Sequence, residues 1–201
     1  MKLTAVALAA FLLIPGLAVA QSTVGKAVVG GKVVTLFDDG TWKYADAAGG
    51  ASPATCDDVT PTVQFCASAL GWVSSPAASS EINAAYRIDT RTYAQYLIED
   101  IGSDDGLTAE FMRQVVLDNA QMATGNTPEV VDVLPVTLGS LSGDTVVYTV
   151  KINGLDVVFA NSVFVEKKRV MQIMTYAIGK EFTPQHAGYQ AQFLANTKLA
   201  E

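Results

Sequence analysis

One histidine, two cysteines and four acidic pairs are the residues of this chain with the most chemistry to offer. His186 is the sole imidazole, so any Ser–His–Asp or Cys–His arrangement must use it. It follows Thr183-Pro184, a dipeptide that opens a helix as N-cap and first helical residue. In that first turn the positive end of the helix dipole disfavours an imidazolium, so the neutral ring is expected. A general base also needs a nucleophile within hydrogen-bond reach, and no G-x-S-x-G elbow supplies one. His186 is therefore expected as a surface or capping residue, and no catalytic residue is assigned.

The acidic pairs are Asp38-Asp39, Asp57-Asp58, Glu99-Asp100 and Asp104-Asp105. Two carboxylates can cleave a glycosidic bond or hold calcium. Each pair abuts a turn or loop, where Asp is favoured for backbone reasons alone. Ser103-Asp104-Asp105-Gly106 is the fragment most like a calcium loop, but it lacks the D-x-D-x-D-G series and the distal Glu. Solvated turns are the expected reading, with no metal and no cofactor. The competing reading is a small envelope hydrolase built on Glu99, Asp104 and Asp105, beside the helix that starts at Thr108. Lys167-Lys168-Arg169, the one basic cluster, reads as a hairpin turn.

The start of the chain gives an address. Lys2 precedes an apolar run to Ile14, Pro15-Gly16 breaks it, and Ala18-Val19-Ala20 precedes Gln21. This is the layout of a secretory leader cleaved after Ala20, and the run is too short to span a bilayer. No cysteine near the cleavage point offers a lipid anchor. The expected location is the periplasm. There, Cys56 and Cys66 are expected to form one disulfide, since C-x-x-C spacing is absent and a single His leaves zinc short of ligands. The enclosed loop contains Pro61 and reads as irregular, a connector pinned by the bond.

Aromatic residues provide the remaining candidates. Phe37, Trp42 and Tyr44 lie in a short N-terminal β-meander, where they can pack on their own domain or anchor a partner. Met112, Met122, Met171 and Met174 read as core fillers.

The elements that must position these residues follow from patterning. The 201 residues carry 50% hydrophobic and 16% charged side chains, which excludes a disordered chain. A net charge of −7 argues against nucleic acid, which demands a basic surface. The expected organisation is a signal peptide over 1–20, a small β-meander over 21–44, a flexible linker and disulfide loop over 45–65, and a main domain over 66–201. In the meander, Gly30-Gly31 and Asp38-Asp39-Gly40 are the turns. The small-residue stretches 45–53 and 74–80 read as loops. Strands are predicted over 82–88 and 93–101. A helix follows over 108–123, capped by Thr108 and ended by Gly125, with Phe111, Met112, Val115, Val116 and Met122 or Ala123 along its apolar face. Strands follow over 130–136, 145–152, 155–165 and 170–178, and Pro135 marks an edge. Asn153-Gly154 is the strongest hairpin signal in the chain. The C-terminal helix carries Tyr189 and Phe193 on one side. The fold class is α+β: one antiparallel sheet covered by helices, plus the N-terminal meander.

This order resembles the PsbP-like α/β/α sandwich. The carrying features are the helix between Leu107 and Gly125, the hairpins around Asn153-Gly154 and the closing helix with Phe193-Leu194. The resemblance covers about two-thirds of the chain, residues 66–201. Residues 33–44 are similar to a V-x-L-x-x-D-G-T-W-x-Y strand pair of assorted bacterial envelope proteins. The resemblance implies a binding or assembly module and assigns no catalytic residue. The expected function is a non-enzymatic periplasmic module that holds an unknown protein or small ligand of the cell envelope. Contact of the meander with cell-wall polymer is a further reading.

Overall fold

The structure is a computed structural model that describes residues 22–29, 32–44, 56–66 and 71–200. The expected leader, the Gly30-Gly31 turn and the linker over 45–53 lie outside the described residues.

Three sheets carry the fold. Strands β1 (Thr23–Val29), β2 (Lys32–Phe37) and β3 (Trp42–Tyr44) form the expected N-terminal meander. β4 (Asp57–Thr60) and β5 (Val63–Phe65) make a hairpin. The large sheet contains β6 (Val73–Ser75), β7 (Ala84–Arg87), β8 (Thr92–Glu99), β9 (Glu129–Leu138), β10 (Leu141–Ile152), β11 (Leu155–Val165) and β12 (Val170–Ile178). Its strand order is β6-β7-β8-β12-β11-β10-β9, antiparallel throughout. Helix α1 (Ala109–Thr124) precedes β9, and α2 (Pro184–Ala195) follows β12. The last strand, β13 (Thr197–Leu199), pairs with β5.

The helices take opposite faces. β11 and β12 are central and buried on both sides, which is why they read as near-continuous apolar runs. α1 places Met112 and Val116 on Val146, Tyr148, Val150, Val163 and Val170. The other face packs Tyr96, Phe164, Met171 and Ile173 against Phe193 and Leu194 of α2 and against Val59, Val63 and Phe65. Phe65 and Phe193 sit 4.2 Å apart at the centre of that cluster. Asn153 and Gly154 turn β10 into β11 with φ of 50° and 83°, the left-handed pair that a tight hairpin requires. Pro135 lies on the edge strand β9, opposite Asp144, where its missing N–H costs no ladder bond.

Several expectations are corrected. Cys56 and Cys66 are bonded, as expected, but their loop is a hairpin. Val59, Val63 and Phe65 point into the core, and Thr197–Leu199 arrives from the far end of the chain to complete a three-stranded sheet. The stretch over 74–80 is a loop only in part, because Ser74 and Ser75 belong to β6 and pair with Tyr86 and Ala85. On α1, Phe111 and Met122 face solvent at 55% and 80% exposure. A helix turns about 100° per residue, so the stripe centred on Met112 and Val116 leaves both to the side. Met122 is thus no core filler, whereas Met112, Met171 and Met174 are buried.

Candidate functional site

The N-terminal sheet divides the three aromatic candidates. Leu36 pairs with Trp42 and Val34 with Tyr44, so these four share a face. Thr35 pairs with Lys43, and Phe37 follows them onto the opposite face, where the Lys43 Nζ stands 5.7 Å from its ring. Trp42 and Tyr44 meet edge to face at 5.3 Å and are about half exposed. Val34 beneath them is buried. The turn into β3 is fixed by Asp39, whose carboxylate accepts from the Thr41 N–H at 2.9 Å and hydroxyl at 2.6 Å. Asp38 accepts from the Ser22 N–H. Both carboxylates of this first acidic pair thus accept from the backbone around them.

The other pairs behave alike. Asp58 accepts from Gln64 Nε2 at 2.8 Å. Asp105 accepts from the Gly102 N–H at 2.9 Å within a 3-10 turn, Ser103–Asp105. Asp104 is exposed, and its N–H donates to the Lys167 carbonyl. Glu99 lies at the rim of a groove that Asp104 and Asp105 do not line. Asp104 and Asp105 therefore do not join Glu99 in that groove. Among the described residues, no group of three or more His, Cys, Asp and Glu could hold a metal ion.

His186 is not at the surface. Its backbone N–H donates to Thr183 Oγ1, the expected cap, but the residue is buried between α2 and β12. Nε2 stands 3.0 Å from Thr175 Oγ1. The Thr175 hydroxyl donates to Gln190 Oε1 at 2.7 Å, so it accepts from His186 and fixes the Nε2–H tautomer. Gln190 Nε2 donates to Ser162 Oγ at 2.8 Å and to the Ile173 carbonyl at 3.0 Å, and Ser162 meets Thr145 at 2.6 Å. Burial lowers the His186 pKa, against a smaller opposing effect of Thr175. The neutral ring expected from the helix dipole is thus favoured chiefly by desolvation. Thr175 is fully buried, so this His–Thr pair offers no nucleophile to a substrate. A cavity of about 440 Å³ adjoins the ring, with Asp89, Arg91, Lys180 and Glu181 around it.

A groove of about 650 Å³ lies between α1 and the large sheet. Val116, Ala120 and Ala123 form its helical wall. Its floor is Gln95, Gln172, Met174, Phe159, Asn161 and Tyr148. Register aligns Tyr148, Phe159, Tyr176 and Tyr93 across four strands, with successive ring centroids 5.0, 5.1 and 5.3 Å apart. The next row is Val146, Asn161, Met174 and Gln95. Asn161 is 1% exposed; its Nδ2 donates to Gln172 Oε1 at 3.0 Å, and its Oδ1 has no hydrogen-bond partner. Sequence reasoning missed this site because five elements build it. The available signal was Asn161 and Gln172, two amides inside otherwise apolar strands buried on both faces.

No family model matches the chain, and no curated protein matches it in sequence. Solved structures do. The solution structure of cyanobacterial PsbP (CyanoP) from Synechocystis sp. PCC 6803 is 14% identical over 77% of this chain and 98% of that one, with a TM-score of 0.54. LpqN, involved in cell envelope biogenesis of Mycobacterium tuberculosis, is 15% identical over 73% and 90%, with a TM-score of 0.49. The sheet, its helices on opposite faces and the likeness to CyanoP together give this chain a PsbP-like α+β fold.

Proposed function

We propose that the protein is an exported, non-enzymatic module that binds a protein or small ligand of the cell envelope. The observation that carries this reading is the Trp42–Tyr44 pair, two large rings about half exposed on one face of a three-stranded sheet. Trp and Tyr are enriched among the anchor residues of protein interfaces. Phe37 serves as a support on the opposite face, with Lys43 over its ring. Export is supported by the leader pattern ending at Ala20 and by the Cys56–Cys66 bond, which persists in oxidising compartments. The mature chain then begins at Gln21, a start that intact-mass measurement of the secreted protein reads directly. Among the described residues, no helix is long and apolar enough to cross a membrane.

The test is crosslinking of tagged protein in its native compartment, read by mass spectrometry. One dominant partner is expected, and Trp42→Ala should lose it while keeping the wild-type melting temperature. A folded Trp42→Ala protein that retains the same partner would remove the aromatic pair from the interface.

A further inference from the structure

The groove between α1 and the large sheet is built for a ligand of definable chemistry. Its volume of about 650 Å³ lies within the range of small-molecule sites, roughly 300–1,000 Å³. The body of such a ligand would lie against Val116, Ala120, Phe159, Met174 and Tyr148, beside the amide and carboxylate groups that share the lining. Its polar end must donate. Asn161 Oδ1 is a buried acceptor with no donor, an arrangement that costs about 1–3 kcal/mol until a donor arrives. The neighbouring Gln172 engages Asn161 only as an acceptor, its Oε1 taking the Nδ2–H, so Oδ1 is left unmet.

Charge narrows the class further. Glu81 and Glu99 line the groove, and no Lys, Arg or His does. A carboxylate or phosphate would meet like charge at the rim and an acceptor at the floor. A cation with N–H donors meets opposite charge at the one and its missing partner at the other.

We infer that this groove binds a small primary amine carried on an apolar body, with the ammonium N–H directed to Asn161 Oδ1 and its charge matched by Glu81 and Glu99. This goes beyond the partner-binding reading and does not rest on it, since the groove shares no residue with the N-terminal sheet.

Isothermal titration of the full mature protein tests it with three probes of matched body: phenethylamine, phenethyl alcohol and phenylacetate. The amine should bind more tightly than the alcohol by about tenfold, a difference of about 1.4 kcal/mol. Phenylacetate should bind more weakly than either. The double variant Glu81→Gln with Glu99→Gln, changed only at exposed rim positions, should bring the amine down to the alcohol. Asn161→Leu should weaken both. Ala123→Trp, from an exposed position on the helical wall, fills the groove and should abolish binding of all three. The inference is overturned if phenylacetate binds as well as the amine or if the amine is held equally by folded Ala123→Trp. It is also overturned if the folded wild-type protein binds none of the probes at millimolar concentration.

Discussion

Thr175 stands between two buried side chains that both depend on it. Its hydroxyl accepts from His186 and donates to Gln190, and Gln190 carries the chain on to Ser162 and Thr145. Thr175→Val keeps the volume and strands both partners, so it should cost about 1–3 kcal/mol in urea unfolding, while Thr175→Ser should lose less. His186 adds a pH dependence whose direction is fixed by burial. The folded pKa lies below the ordinary value, so as pH falls through about 6.5 the unfolded chain takes up a proton before the folded chain does. Stability from this group is present above that pH and lost below it. The fall in Tm between neutral and mildly acidic pH should therefore be smaller in His186→Gln than in the wild type. An equal fall in both would mean that other groups carry it. The sequence puts His186 in the first turn of a helix, and the structure agrees. It does not reveal which strand the ring would meet, because Thr175 lies eleven residues away and belongs to a neighbouring layer.

The elements differ in how much of their cause is local. Asn153-Gly154 sits between two alternating strands and determines its hairpin without outside help. α1 carries its own start in Thr108, whose side chain accepts from the Phe111 N–H. β4 and β5 carry only three inward residues between them, and the strand that completes their sheet is the last in the chain. That partnership is invisible to any window of sequence, which is why the segment reads as an irregular connector. The disulfide closes this hairpin. Its reduction should cost about 2–3 kcal/mol on the chain-entropy model, and amide exchange should rise first in β4 and β5. Gly143 marks a different constraint. A Cβ there would lie 2.1 Å from the Val163 carbonyl and 2.7 Å from the Phe164 ring, so β10 and β11 must part to admit it. Gly143→Ala should lower stability by about 1–3 kcal/mol in denaturant titration, as overpacking does.

At the scale of the molecule, the antiparallel meander, the two helices and their order are all legible, because each strand's alternation and each cap is written within a few residues. The groove is not legible. It needs α1 to lie over β10 and β11 while residues of β8 and β12 face the space beside the helix, a matter of helix placement that periodicity does not encode. Closure of the opposite face is likewise a long-range event. Phe193 packs on Phe65 and Tyr96, Thr197 Oγ1 meets the Tyr96 hydroxyl at 2.5 Å, and the Ala200 N–H donates to the Thr62 carbonyl. Deleting residues 196–201 should lower Tm and raise binding of a hydrophobic dye, since β5 loses its strand partner and the buried Tyr96 hydroxyl loses Thr197. A truncated protein that melts as the full chain does would show that β13 is dispensable.

That closure also sets a timetable. The residues that seal the aromatic core around Phe65 and Tyr96 follow every strand of the large sheet in chain order. A chain still being made, or still being threaded N-terminus first through a pore, has Phe65, Tyr86 and Tyr96 in place but nothing to lay across them. That core therefore closes only once α2 and β13 are free to dock.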